Sequence, residues 1–354
     1  MGVIVLATRN DVAKLANVSP AVVSYVINNS NYVSAEKRQA VLEAIEKLDY
    51  HPSYAAKSLK KHQTYQLLML VDDVRTELFN EIGYYMEQYA FQRGYFVSIA
   101  SCTSEKALKY LDVCFSKRYD GVFMVSNVYT SKHMNLIASK GIPVVLYLTR
   151  FYEGEKSLGP DICKIDCDYI GNIGKMIDYL IDVRRRRNIG YVISPGIGST
   201  EDEQKPWGDG MRIWGYMRAL ERRGLPIRIN NFFTLRQDHN ESFTRPFTQA
   251  CIREFMQRDA HERITALFAS TDHAAAQVCR MLLAEGVRVP EDVCVVGLGD
   301  TVSARISNPG ITTISVPKKM VARYAVDVLI SRIENKKRLP NAHFPMELVL
   351  RGSA

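Results

Sequence analysis

The sequence lacks the signatures of most catalytic chemistry. The glycine pairs Gly171/Gly174, Gly196/Gly198 and Gly297/Gly299 never complete the G-x-G-x-x-G turn that lets a backbone approach a dinucleotide pyrophosphate. No G-x-x-x-x-G-K-[ST] phosphate loop is present, and the serines, histidines and aspartates form no nucleophile elbow. A nucleotide-dependent α/β enzyme is therefore disfavoured, and neither enzymatic activity nor a cofactor is expected.

Cysteine is equally uninformative as chemistry. The seven cysteines, Cys102, Cys114, Cys163, Cys167, Cys251, Cys279 and Cys294, are odd in number, scattered, and contain no C-x-x-C pair. They read as reduced, mostly buried thiols of a cytosolic protein. Cys163 and Cys167 lie closest together, but no histidine cluster follows at a ligand spacing, so no metal is expected. No apolar run approaches the roughly 20 residues that a membrane span requires. The opening Met1 to Ala7 is too short for a signal-peptide core and lacks a basic leader and a cleavage site. Leu6 stands where an N-myristoylation signal needs Ser or Thr. A cytoplasmic protein with no membrane partner is the expectation. Internal repeats and low-complexity segments are missing too, which excludes a solenoid.

What is present is ordinary globular material: 354 residues, 47% hydrophobic and 24% charged, too long for one small core. Lysine plus arginine is 46 against 38 for aspartate plus glutamate, a net charge of +8 that favours polyanions without demanding them. The pattern changes near His51. Before it the chain reads as short helices; after it, strands and helices alternate almost to the end. Strands are expected at Gln66–Val71, Phe96–Ala100, Gly121–Val125, Pro143–Tyr147, Asn188–Ile193, Thr265–Ala269 and Val293–Gly297. Helices are expected at Leu78–Arg93, Ser104–Lys117, Tyr169–Val183, Met211–Arg223, Arg245–Gln257 and Asp272–Glu285. So many units imply parallel sheets with helices on both faces, divided between two lobes.

The N-terminal segment carries two helix-start signals. Thr8-x-x-Asp11 is a capping box, so a helix begins at Arg9 with Val12, Leu15 and Ala16 on its apolar side and ends near Asn17, which tolerates a left-handed turn. Ser19-Pro20 starts a second helix. That helix can bury Val23, Val26 and Ile27, leaving Pro20, Ala21, Ser24, Tyr25 and Asn28 outside. Two helices joined by so short a turn form either a plain helical hairpin or the helix-turn-helix that enters a DNA major groove. Val41, Ile45 and Leu48 share a face of a third helix, which closes a small core.

These residues carry a family resemblance. The run from Asp11 through Ser19, Ser24 and Asn28, followed by Tyr32-Val33-Ser34, Arg38, Val41, Ala44-Ile45, Leu48, Tyr50 and Pro52, resembles the opening of the lactose-repressor/galactose-repressor (LacI/GalR) family of bacterial regulators. The resemblance implies a sequence-specific regulator, most simply a repressor. It would bind double-stranded, pseudo-palindromic operator DNA as a homodimer and answer to a small-molecule effector, a sugar or a derivative of one. Pro20, Ala21 and Tyr25 would then face base edges, with Ser24 on phosphates. Only the Tyr25 hydroxyl can hydrogen-bond a base, while Pro20 and Ala21 can contact a thymine methyl. Val22 replaces the family's usual threonine, so one phosphate contact is in doubt.

Residues 1–52 are thus expected to form the DNA-binding domain, 53–62 a hinge, and 63–354 an effector-binding and dimerisation core. The hinge contains good helix formers but is too short to be stable alone. By resemblance it folds on DNA and inserts Leu59 into the minor groove, with Lys57, Lys60 and Lys61 beside flanking phosphates. A solvated basic linker is the plainer reading of the same segment.

The core resembles the family's two-lobed, periplasmic-binding-protein-like domain. One lobe is expected from 63–160 plus 291–317, the other from 161–290 plus 318–354. The matches include Asp73 and Phe79 after the first strand, Arg212 within Arg-Ile-Trp-Gly-Tyr, and Asp272 after Ser270-Thr271. Arg212 implies a guanidinium fork for an effector hydroxyl or carboxylate, or else an exposed helix arginine. Asp272 implies an inter-lobe contact or an N-cap, and Phe79 a cleft aromatic or a core side chain. Two acids that would hold ligand hydroxyls are replaced, by Leu148 and Gly299, and Asp300 is a candidate substitute for the second. Residues 196–210, with Glu201, Glu203 and Trp207, are expected on the cleft side. A ligand-binding protein of the exported transport type is the remaining alternative, and it would require the leader that Met1 to Ala7 does not supply.

Overall fold

The structure is a computed structural model that describes residues 7–51, 63–102, 104–116, 118–126, 128–149, 158–194, 210–235, 244–335 and 337–354. It divides into two compact units, residues 1–64 and 65–354.

The first unit contains α1 (Arg9–Leu15), α2 (Pro20–Asn28) and α3 (Ala35–Lys47). The Thr8 capping box is formed: the Asp11 amide donates to Thr8 Oγ1 at 3.3 Å and the Thr8 amide donates to Asp11 Oδ2 at 2.8 Å. Asn17 takes the left-handed conformation at φ 52°, turning the chain into the Ser19 cap and Pro20. Val12, Ala13, Val23, Val26, Val41, Ala44 and Tyr50 make the core. Leu15, expected inside, is 45% exposed. At 3.6 residues per turn, Val12, Ala16 and Ala13 occupy one arc and Leu15 falls on its flank.

The second unit holds two sheets. The first has six strands in the order β12-β5-β4-β3-β1-β2: β1 (Gln66–Val71), β2 (Phe96–Ser101), β3 (Gly121–Met124), β4 (Val144–Tyr147), β5 (Ile162–Cys167) and β12 (Ala342–Phe344). The second has seven, in the order β13-β11-β10-β9-β6-β7-β8. They are β6 (Ile189–Ile193), β7 (Phe232–Thr234), β8 (Arg245–Pro246), β9 (Ala266–Ala269), β10 (Cys294–Gly299), β11 (Thr312–Ser315) and β13 (Glu347–Val349). Among the described pairs only β11 with β13 is antiparallel. Leu67 to Val71 are at most 1% exposed, as expected of a parallel strand covered on both faces.

The helices are α4 (Glu77–Gln92), α5 (Ser104–Phe115), α6 (Ser131–Ser139), α7 (Tyr169–Asp182), α8 (Gly210–Arg222), α9 (Gln249–Gln257), α10 (Asp272–Ala284), α11 (Val302–Ile306) and α12 (Lys318–Asn335). Helices α4 and α12 pack together over the first sheet, and α7 packs with α8 in the second lobe. Arg245, expected to open a helix, lies instead in β8, and the helix begins at Gln249 behind a Thr248 cap.

The lobe boundaries differ from those expected. Strands β10 and β11, within 291–317, belong to the second sheet, whereas β5, α12 and β12 belong with the first. The chain crosses between lobes three times, at Asp168, at Val316-Pro317 and between β12 and β13. An apolar core follows these crossings without a break, from Met69 and Phe123 through Tyr147, Cys167, Tyr169 and Val316 to Tyr191 and Phe268. All seven cysteines are buried thiols, and burial pushes that of Cys167 up to about 12. Among the described residues no helix is long and apolar enough to cross a membrane.

Val23 is fully buried at the centre of the three-helix unit. Val23→Ala should lower the stability of that unit by about 2 kcal/mol. In calorimetry of the full chain, the transition of the helical unit should move down while that of residues 65–354 stays in place.

Candidate nucleic-acid interface and effector cleft

The outer face of α2 carries Pro20 and Ala21, both exposed, and Tyr25, which is 36% exposed. Asn28 turns back along the helix: its amide donates to the Ser24 carbonyl at 2.8 Å and to Ser24 Oγ at 3.2 Å. Ser24 and Asn28 therefore form one polar edge. Asn29 ends the helix in the left-handed conformation, and its Oδ1 accepts from Arg38 of α3 at 3.1 Å. Two features of this surface were not singled out from sequence. Tyr32, in the turn after α2, is 95% exposed, and Lys14 and Lys37 line a groove with Asn17, Ser19 and Val22. The signal available for Tyr32 was an aromatic with no apolar neighbour at helical spacing. Lys57, Leu59 and Lys60 lie outside the described residues.

In the second unit, the helices that follow β1 and β10 meet beyond the carboxyl ends of these strands, where open α/β sheets bind ligands. Arg212 arrives there through a close helix crossing. A Cβ at Gly215 would lie 3.2 Å from Ile170 Cα, so a side chain there would press α8 away from α7. The close crossing sets the Arg212 guanidinium 5.5 Å from the centre of the Tyr169 ring. Arg212 is only 5% exposed, which removes the surface-arginine reading. The Tyr169 hydroxyl lies 2.8 Å from that of Tyr147, at the end of β4. Burial pushes Tyr169 up to about 12 and lifts Tyr147 well above its ordinary value, so both stay neutral phenols. Leu148, in place of the expected acid, packs against the apolar cluster on the outer side of the first sheet.

Asp272 is the first residue of α10, capped by Thr271, and is fully buried. Its Oδ1 accepts from Thr313 Oγ1 at 2.5 Å, and its Oδ2 from the Thr301 amide at 2.7 Å and Thr301 Oγ1 at 3.1 Å. Burial lifts its pKa, and the bonds from Thr313 and Thr301 oppose that rise. Asp272 is therefore neither an N-cap nor an open ligand group. Asp300, at φ 51°, accepts from Arg351 Nη2 at 2.6 Å. Asp73 binds Arg75 two residues on, at 2.6 Å, and the Arg75 guanidinium holds its carboxyl below the usual range. Phe79 is 8% exposed and packed in the core with Ile82 and Met86, which leaves little ring face for a ligand. Of the residues 196–210 expected beside the cleft, only Gly210 is described.

Residues 8–53 match the bacterial regulatory proteins of the lacI family, and residues 177–354 match the periplasmic binding protein-like domain. The chain belongs to the LacI family: it is a DNA-binding transcriptional repressor with a periplasmic-binding-protein-like effector domain, and not an enzyme. The HTH-type transcriptional repressor PurR of Pasteurella multocida is 30% identical over 357 residues, 98% of each chain. That of Escherichia fergusonii is 31% identical over 340 residues, 95% of this chain and 93% of the relative. Among solved structures, the lac repressor dimer bound to operator and the anti-inducer ONPF has a TM-score of 0.73 at 19% identity, covering 98% of both chains. The transcriptional regulator CelR in complex with cellobiose has a TM-score of 0.63 at 25% identity, covering 98% of this chain and 100% of that one.

Removing the Asp272 carboxylate strands a buried amide and two hydroxyls. Asp272→Ala should cost about 3 kcal/mol in denaturant unfolding. Because burial raises this pKa, the folded protein keeps the proton to higher pH than the unfolded chain, so the group's contribution falls as pH rises above its ordinary value of 3.8. Subtracting the stability-versus-pH curve of Asp272→Asn from that of the wild type should leave this downward slope; a rising difference would contradict the assignment.

Proposed function

We propose that two copies of the chain present their α2 helices to the two halves of a pseudo-palindromic operator, and that a small molecule in the inter-lobe cleft modulates the binding. The observation that carries the reading is the outer face of α2, fixed by two capped helix starts and a packed third helix, with Pro20, Ala21 and Tyr25 exposed. Ser24, Asn28, Lys14 and Lys37 supply phosphate contacts around it, and these position the helix without reading sequence. In the hinge, Leu59 wedges a base step while Lys57 and Lys60 neutralise phosphates.

The second copy is supported by an apolar row on the first lobe. Tyr84 is 60% exposed, Phe91 63%, Phe96 48% and Ile99 38%. Tyr84 and Phe91 are two turns apart on α4, the Phe91 and Phe96 rings are 6.4 Å apart, and Ile99 packs against Gly83. This row follows an edge strand, β2, which a paired copy would cover. In the cleft, Arg212 carries effector recognition. Asp73, Asp272 and Asp300 position its walls through Arg75, Thr313 and Arg351 rather than holding ligand hydroxyls, and Phe79 packs behind them. Sugars remain the class represented by the cellobiose complex, but a polyol held by carboxylates is not what these walls offer.

Genome-wide footprinting of the tagged protein should recover a short inverted repeat. At that site, affinity should fall by about a thousandfold between 50 and 200 mM salt. Leu59→Ala should weaken operator binding far more than binding to random DNA. A flat salt response, or equal losses on both DNAs, contradicts the reading.

A further inference from the structure

Two carboxylates of the first lobe grip the second. Glu77 and Glu81 lie one turn apart on α4, directly after β1. Glu77 Oε1 accepts from Ser303 Oγ at 2.5 Å, and Oε2 accepts from the Ser303 amide at 3.3 Å. Glu81 Oε1 accepts from the Val302 amide at 3.0 Å and from Arg305 Nη2 at 3.4 Å. Its Oε2 lies 3.2 Å from Lys318 Nζ.

Lys318 opens α12 at the second crossing, is 8% exposed, and donates to the carbonyls of Gly299 at 2.8 Å and Asp300 at 2.7 Å. His273 Nδ1 approaches Glu77 Oε1 to 3.8 Å. Apart from the Glu81–Lys318 pair, which lies within the first lobe, these bonds join the first lobe to residues 273–305 of the second. Burial acts to raise the Glu77 carboxyl, but the bonds from Ser303 and Thr301 hold it below the usual range.

We infer that Glu77, Glu81 and Lys318 form an inter-lobe latch that opposes opening of the cleft. An effector then acts by loosening or reinforcing that latch. The inference rests on the cleft being the effector site. Opening the lobes requires the two carboxylates to leave the amides of Val302 and Ser303, whereas an entering ligand can bias the equilibrium only by its differential affinity for the two states.

The test uses the full chain without DNA or effector. Small-angle scattering of the wild type should fit closed lobes, and Glu77→Ala/Glu81→Ala should expand them. In the same variant, hydrogen exchange at the amides of Val302 and Ser303 should accelerate by about tenfold or more. Because that variant can also weaken the fold, a cycle of Glu77→Ala, Ser303→Ala and the pair gives a second reading. Within a latch, the pair accelerates exchange across residues 300–305 no more than either single change does; multiplicative effects overturn the latch.

Wild-type scattering that fits open lobes overturns it as well, and so does a double variant with unchanged scattering. Operator binding separates the two readings. A protein that binds its inverted repeat while Glu77→Ala/Glu81→Ala leaves the lobes unmoved loses the latch alone. One that binds no such DNA but opens as stated loses the regulator reading and keeps the latch.

Discussion

The carboxylate of Asp272 is a buried charge with no cation bonded to it among the described residues, and much of the second lobe is arranged around that fact. Its compensation comes from dipoles: the positive end of α10, which it opens, the Thr301 amide and the hydroxyls of Thr301 and Thr313. Such a group leaves little room for bulk beside it. A Cβ at Gly297 would sit 2.4 Å from Asp272 Oδ1, and one at Gly299 would sit 3.2 Å from Oδ2, with Gly299 itself at φ 132°. The glycine at 299, where the family resemblance calls for an acid, is therefore the counterpart of the buried Asp272. A second carboxylate there would meet the first in a site of low dielectric and a strained backbone.

From that constraint the rest of the cleft wall follows. With 297 and 299 as glycines, the carbonyls of Gly299 and Asp300 are accessible to a lysine, and Lys318 takes both. Asp300 is turned into a left-handed conformation and reaches Arg351 near the C-terminus. Two residues further on, Ser353 Oγ donates to the Val295 carbonyl at 2.6 Å and accepts from the Thr312 amide at 2.8 Å. The last residues of the chain thus stitch β10 to β11, and the loop that carries α11 is fixed from both sides. A fixed α11 is what gives Glu77 and Glu81 something rigid to hold.

The local chemistry of the helical unit was legible because its determinants are neighbours in sequence. A capping box, a cap followed by proline and a left-handed asparagine each act within four residues, and all three appear as expected. Only the role of Leu15 was misjudged, because two helices divide the surface of α1. In the core, most of the long apolar strands were legible, but Ile162–Cys167, Phe232–Thr234, Arg245–Pro246, Thr312–Ser315, Ala342–Phe344 and Glu347–Val349 were not. Four of these have only two or three residues, too few to show alternation. Lobe membership failed for a different reason. Strand order is set by pairing between strands tens of residues or more apart, so nothing local in 291–317 marks β10 and β11 as partners of β9 and β13. At the cleft, sequence could name Arg212, Asp272 and Asp300 but not their partners. Whether a carboxylate faces a ligand or Thr313 and Arg351 depends on contacts at least 40 residues away.

The latch and the missing acids bear on one another energetically. Switching a two-state protein from 1:99 to 99:1 takes a ligand that prefers one state by roughly 5.5 kcal/mol. A cleft that holds ligand hydroxyls on several carboxylates can draw such a preference from the ligand itself. Here Leu148 and Gly299 remove two of those groups, and Asp272 and Asp300 are committed to the chain's own donors. Less differential binding is left for a ligand to supply, so closure has to come from the chain. Glu77, Glu81 and Lys318 supply it, in charged hydrogen bonds to amides and carbonyls that a partly desolvated site makes stronger than they would be in water. An effector that reinforces the latch then needs only a modest bias, whereas one that loosens it must prefer the open lobes by more than the latch contributes.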